Sequence, residues 1–283
     1  MTVVETVVDT ETEAIPAPAY VGEGEAPDVT FVIPAYNEQD RLPASLERVI
    51  AFLGAQDFSS EIVISDDGST DHTPRIVRDR AHGAMPPGVT LRLVQREINR
   101  GKGAAIRAGV MDARGGYVFY MDADLATPPE DALKLLAQLR SGADVASGSR
   151  IQPDGSDMRV SQPFRRRLVG RMFTTMRKMM RVLPDIDDTQ CPMKGFRDDV
   201  ARSIFAQQQL SGWIFDAEVL AIARSLGFSI VAVPVTWRHV EGSRLRVSPT
   251  EAWRVARDLV RLRSLHPAAP TVSPSEAADP DAS

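Results

Sequence analysis

The sequence of 283 residues is long enough to bury a full core, and its 43% hydrophobic and 25% charged residues are ordinary for a soluble globular chain. Its one cysteine, Cys191, excludes an internal disulfide and any cysteine-only metal site, and no apolar run reaches the roughly 18–20 residues that cross a bilayer. The net charge of −5 is unevenly spread: ten acids lie in residues 1–28 and 266–283, which hold no Lys or Arg, so residues 29–265 carry +5 and point to an anionic partner.

Residues 1–28 and 266–283 are rich in Ala, Pro, Ser or Thr without a sustained apolar period, and both are read as disordered tails on an ordered body, 29–265. The N-terminus lacks the basic start and apolar centre of a signal peptide. With a lone cysteine this places the protein on the cytoplasmic side, free or lying on a membrane.

From residue 29 strands and helices alternate. "VTFVIPAY" reads as a strand, "RLPASLERVIAFLGAQ" as a helix with Leu42, Leu46, Val49, Ile50 and Leu53 at helical spacing, and "EIVISDD" as a second strand. A helix is expected from Asp71 or Thr73, with Pro74 in its first turn. "VTLRLVQ" is a third strand, "KGAAIRAGVMDA" a helix, "YVFYMDA" a fourth strand, "PPEDALKLLAQLR" a helix and "ADVASGS" a fifth strand. Beyond Arg150 come a long basic helix over 162–184, a loop and short strand in "DIDDTQCPMKGF", and a helix in "GWIFDAEVLAIARSLG". "FSIVAVPVTW" follows as a strand kept to an edge by Pro234, then a last amphipathic helix in "TEAWRVARDLVRLRSL".

This alternation predicts an α/β fold with a mainly parallel sheet, which binds ligands at the carboxyl ends of its strands. Tyr36, Asn37 and Glu38 follow strand one, Asp66 and Asp67 strand two, and Asp122 and Asp124 strand four, so three acidic strand ends should share one rim. Two carboxylates flanking Ala123 suit a hard divalent cation that completes its shell with phosphate oxygens and water. The tripeptide alone also fits a helix cap before Pro128 and Pro129, and "GKG" by itself is only a glycine turn before a helix.

Together "VIPAYNEQDRL", "SDDGSTD", "NRGKGAAIRAG" and "MDADLATPPE" resemble the family-2 glycosyltransferases, whose GT-A (Rossmann-like) fold binds a nucleotide-sugar through a D-x-D-held metal. The later segments "ASGSR", "FRR", "DTQCPMKGF", "FDAEVL" and "VPVTWRHVEGSRL" are most similar to dolichyl-phosphate β-glucosyltransferases and their prokaryotic polyprenyl-phosphate relatives. The resemblance spans residues 29–250. It implies that Pro34, Tyr36, Glu38, Asp66, Asp67, Lys102 and Ala123 line the nucleotide-sugar pocket. Asp122 and Asp124 would hold Mg²⁺ or Mn²⁺, and Arg150 with one or more of Arg165, Arg166 and Arg167 would grip the acceptor phosphate. Asp216 is either a general base or an orienting group, and His239 is read as packing or orienting. Ala126, Pro192 and Arg244 depart from residues common in relatives, and the N-terminal membrane anchor of the eukaryotic members is not expected here.

The resemblance implies inverting transfer of a hexose, glucose from UDP-glucose, to a polyprenyl phosphate. The alternatives are GDP-mannose as donor, a soluble acceptor, or a non-enzymatic nucleotide- or lipid-binding protein on the same fold. Residues 164–183 hold seven Lys and Arg, no acid and four Met, which suits either a membrane-surface helix or a core-packing helix with a solvated basic face. With the resemblance, membrane contact is expected there and along Trp253–Leu265; the acidic strand ends argue against nucleic acid.

Overall fold

The computed structural model describes residues 26–161, 164–238, 240 and 249–266. The elements are β1 (Val29–Ala35), α1 (Leu42–Gly54), β2 (Ser60–Asp66), α2 (Thr73–Ala81), β3 (Val89–Gln95), α3 (Lys102–Asp112), β4 (Tyr117–Met121) and α4 (Ala132–Arg140). Then follow β5 (Val145–Ser149), α5 (Phe164–Met179), β6 (Met193–Arg197), α6 (Asp198–Gln207), α7 (Phe215–Ser225), β7 (Ile230–Pro234) and α8 (Pro249–Leu265). The expected tails fall, apart from residues 26–28 and 266, outside the described residues, as does His239.

The sheet has seven strands in the order β3-β2-β1-β4-β6-β5-β7. All pairings are parallel except those of β6, which runs antiparallel to both β4 and β5. Pro234 lies on the edge strand, where its missing N–H costs no ladder bond. Side chains alternate across the sheet. Phe31, Ile33, Ile62 and Phe119 pack under α1, α2 and α4, while Val32, Val63, Val118 and Tyr120 pack under α3, α6, α7 and α8. Phe31 stacks on Phe119 with centroids 5.2 Å apart. Opposite Phe119 in the register is Gly195, where a Cβ would lie 2.4 Å from the Phe119 ring, so only glycine lets the two strands pair.

Two features go beyond the sequence reading. Residues 198–207, not assigned above, form α6: acids Asp198 and Asp199 sit in its first turn, and Val200, Ala201, Ile204 and Phe205 face the core. In the basic helix the described apolar side chains near its C-terminal end turn partly inward. Phe173, Met176 and Met180 pack against the core, and Arg177 is 1% exposed. Its guanidinium donates to the carbonyls of Val182, Leu183 and Ile186, stapling a turn in which Arg181 and Leu183 have positive φ. Arg177 is therefore an internal hydrogen-bonding group, because free carbonyls in that turn must be satisfied once buried.

Candidate active site

Topology brings the predicted strand ends together. β2, β1 and β4 are adjacent and parallel, so Asp66, Ala35 and Met121 end on one rim. Because β6 is antiparallel, it starts at that same rim, and β5 and β7, parallel to each other and opposed to β6, finish there with Arg150 and Trp237 just beyond. A second group of residues, Asp188, Cys191, Lys194 and Asp216, thus joins the first.

At β1, Asn37 takes a left-handed conformation (φ 51°). Its N–H donates to Ser69 Oγ at 2.8 Å and its Oδ1 accepts from Thr70 N at 2.8 Å, tying the turn after β1 to the turn after β2. Asn tolerates that φ better than most residues, a role not assigned from sequence. Glu38 accepts a fork from Arg41, and Tyr36 is 37% exposed at the rim.

Asp66 and Asp67 divide their work. Asp67 accepts the N–H groups of Arg100 (3.1 Å) and Gly101 (2.7 Å), so it shapes the glycine loop. Gly101 has φ 104°, and a Cβ there would meet Ser211 O at 2.5 Å. Asp66 is fully buried; one oxygen accepts from Ser69 N, and the other, Oδ1, has no partner among the described residues. A buried acceptor left open is costly unless a ligand donor meets it.

Asp122 and Asp124 follow β4. Leu125 turns with φ 50°, and Asp124 Oδ1 accepts from Ala126 N at 3.0 Å. The Lys102 ammonium, at the start of α3, sits 2.5 Å from Asp122 Oδ1 and 5.6 Å from the Trp213 ring. Burial raises the Asp122 carboxyl, Lys102 partly offsets this, and Asp124 adds to the rise. Burial likewise opposes the Lys102 charge, but Asp122 and Asp216 outweigh it and hold its pKa above the ordinary value. The carboxylates therefore already draw in a cation. Among the described residues no cluster of three His, Cys, Asp or Glu forms here, so two carboxylates would share a divalent ion with ligand oxygens, as Mg²⁺ commonly accepts. The residues fit the metal.

Asp216, expected as a base or an orienting group, is 3% exposed, and its Oδ1 accepts from both Tyr120 Oη (2.6 Å) and Lys194 Nζ (2.7 Å). Lys194 is fully buried and also donates to Cys191 O. Burial, then the Asp216 charge, raises the Tyr120 hydroxyl well above its ordinary value, so it remains a donor. Neither Tyr120 nor Lys194 was assigned from sequence; a single lysine inside the apolar "PMKGF" was the available signal.

Arg150 is 8% exposed and gripped by Asp188, whose Oδ1 and Oδ2 accept its NH2 (2.7 Å) and Nε (2.8 Å). Trp237 lies 5.8 Å from the guanidinium. Burial opposes the charge on Asp188, yet Arg150 and then Arg159 hold its carboxyl well below the usual range. Arg150 thus meets a ligand only through hydrogen-bonding capacity that Asp188 leaves. Arg165, Arg166 and Arg167 lie on α5, but their side chains fall outside the described residues.

The family model Glycosyl transferase family 2 matches residues 30–205, a span containing every rim carboxylate except Asp216. The chain is 34% identical over 244 residues to the dolichyl-phosphate beta-glucosyltransferase of Dictyostelium discoideum, covering 83% of this chain and 73% of that one. It is 31% identical over 252 residues to the Homo sapiens protein of the same name, covering 84% and 76%. Among solved structures, the glucosyl-3-phosphoglycerate synthase of Mycobacterium tuberculosis in complex with UDP superposes with a TM-score of 0.60 at 17% identity, covering 87% of this chain and 82% of that one. That likeness shows a shared GT-A fold. The D-x-D strand end, the glycine loop at Lys102 and the sheet topology agree with the sequence match, and the chain belongs to glycosyl transferase family 2 and is a glycosyltransferase.

Proposed function

We propose that the protein transfers glucose from UDP-glucose, with inversion, onto a polyprenyl phosphate of the dolichyl type, assisted by Mg²⁺ or Mn²⁺. The observation that carries this reading is the identity of 31–34% to dolichyl-phosphate beta-glucosyltransferases over more than four-fifths of the chain. A structural neighbour of the same fold, a glucosyl-3-phosphoglycerate synthase, was crystallised in complex with Mn²⁺, UDP-glucose and glycerol 3-phosphate.

Each residue then has a physical task. The open Oδ1 of Asp66 accepts an N–H from the base, as uracil supplies. Pro34, Tyr36, Glu38, Asp67 and Ala123 frame the pocket, Asp67 through the loop it holds. Asp122 and Asp124 hold the metal, which when bound neutralises charge on the leaving diphosphate. Lys102 adds a fixed positive charge at the same place. Arg150, with Arg165 and Arg166, binds the acceptor phosphate, since guanidinium forks match phosphate oxygens in pairs.

A phosphate oxygen is already anionic, so its attack on the sugar carbon needs no general base. Asp216 accordingly serves to orient: Tyr120 and Lys194 fix its carboxylate beside Lys102 and Asp122. The deciding experiment supplies labelled UDP-glucose or GDP-mannose with a polyprenyl phosphate and extracts the product into organic solvent. Label from UDP-glucose, lost on chelation, is the expected result. Label from GDP-mannose alone overturns the donor, and product confined to the aqueous phase overturns the lipid acceptor. No described helix is long and apolar enough to cross a membrane, and peripheral association on the cytoplasmic side is part of the proposal.

A further inference from the structure

We propose that Trp213 is the platform for the donor hexose, its open indole face receiving the C–H face of the sugar while Lys102 and the metal hold the diphosphate. The inference rests on the nucleotide-sugar reading of the rim and adds the sugar contact which that reading lacks.

Trp213 lies in the loop between α6 and α7, and that loop is locked onto the start of α3. Gly103 N–H donates to Ser211 O at 2.9 Å. A Cβ at Gly101 would lie 2.5 Å from Ser211 O, and one at Gly103 would lie 2.6 Å from Phe215 Cβ and 2.8 Å from Leu210 O. The glycines on either side of Lys102 thus let two backbones touch. Gln208 Nε2 donates to the carbonyls of Gly103 and Leu210, and buried Glu218 accepts the N–H groups of Gln209 and Leu210. The loop is therefore fixed relative to Lys102 before any ligand arrives.

The strand order sets where the hexose falls. Asp66, whose open oxygen suits the base, ends β2, and Asp122 follows β4; β1 lies between them, so the two strand ends are about 10 Å apart. In UDP-glucose the hexose is bonded to the phosphate farther from the base, which places it on the Asp122 side of the rim. There the Trp213 ring lies 5.6 Å from Lys102 Nζ, itself 2.5 Å from Asp122 Oδ1. The Phe215 ring is 5.7 Å from the same ammonium but fully buried, whereas Trp213 is 37% exposed and keeps a face open to a ligand. An indole face is electron-rich and attracts the C–H groups of a pyranose, and covering its apolar surface adds about 25 cal/mol per Å².

The test is calorimetric titration of the full chain with UDP-glucose and with UDP, in the presence of Mn²⁺ and without acceptor. Trp213→Ala should weaken UDP-glucose about tenfold and leave UDP within about twofold, since UDP carries no hexose. Retained UDP binding also shows that the variant is folded. Trp213→Phe should recover most of the loss, and Trp213→Leu, apolar but not flat, should not. Equal loss of UDP and UDP-glucose would make the ring a prop for Lys102, and unchanged affinity for both would put the hexose elsewhere. A raised KM for polyprenyl phosphate with unchanged UDP-glucose binding would give the ring to the lipid. Each of these overturns the proposal. Failure of the donor reading has a different signature: a parent that binds GDP-mannose but not UDP-glucose refutes UDP-glucose as donor, and the same comparison with GDP-mannose and GDP then decides the role of Trp213. A parent that binds neither sugar nucleotide refutes both readings.

Discussion

The Lys194 ammonium lies 2.7 Å from Asp216 Oδ1, and the side chains are 0% and 4% exposed. An ion pair so placed ties β6 to the start of α7, and Tyr120 of β4 binds the same oxygen. Removing one partner strands the other charge. Lys194→Met should lower unfolding free energy by about 3–5 kcal/mol, measured by urea denaturation. Lys194→Met/Asp216→Leu should recover much of the loss while remaining defective in transfer; a double variant as unstable as the single one would show that packing, not charge, is at stake.

Asp122→Ala and Asp124→Ala should each reduce transfer by about a hundredfold or more, as loss of a group stabilising transition-state charge does. Far-ultraviolet circular dichroism should stay unchanged, since both carboxylates lie beyond the end of β4. Activity near that of the parent in Asp124→Ala would remove the metal assignment.

The Asp188–Arg150 pair has a defined pH dependence. The folded pKa of Asp188 lies below its ordinary value, so its stabilisation is complete above about pH 4 and is lost as pH falls toward the folded value. Asp188→Asn should cost about 3–5 kcal/mol at neutral pH. The gap between parent and variant should shrink on acidification below pH ~4, read from urea curves at several pH values; a gap constant down to pH ~2 would contradict the assignment.

Arg177 supplies donors to three carbonyls of the 182–186 turn. Arg177→Met leaves them unmet and should cost about 3 kcal/mol or more, from a penalty of about 1–3 kcal/mol for each of the three unsatisfied groups. Arg177→Lys should recover little, because an ammonium cannot reproduce the planar fork. Thermal denaturation of the two variants checks this.

Burial pushes the Cys191 thiol up to about 12, and the side chain is fully enclosed. Iodoacetamide at pH ~8 should therefore leave the folded protein unlabelled over hours and modify Cys191 promptly once urea is added. Rapid labelling of the native chain would mean that the rim around Cys191 opens.

By itself the sequence determined the strand–helix alternation, the edge position of Pro234 and the sites of the rim carboxylates, because hydrophobic period, turn residues and strand-end polarity are local signals. It also carried the family, through motifs whose order and spacing survive along the chain. Only the tertiary structure decided which charges meet. Lys194 and Asp216 are 22 residues apart, Tyr120 and Asp216 are 96 apart, and their contact depends on β6 entering the sheet antiparallel between β4 and β5. Likewise a row of arginines in α5 looks uniform in sequence, while the packing of Phe173 and Met176 turns Arg177 inward. Local pattern fixes which residues are polar or apolar; the burial that determines whether a charge is paired, stapling or free is set by neighbours far along the chain.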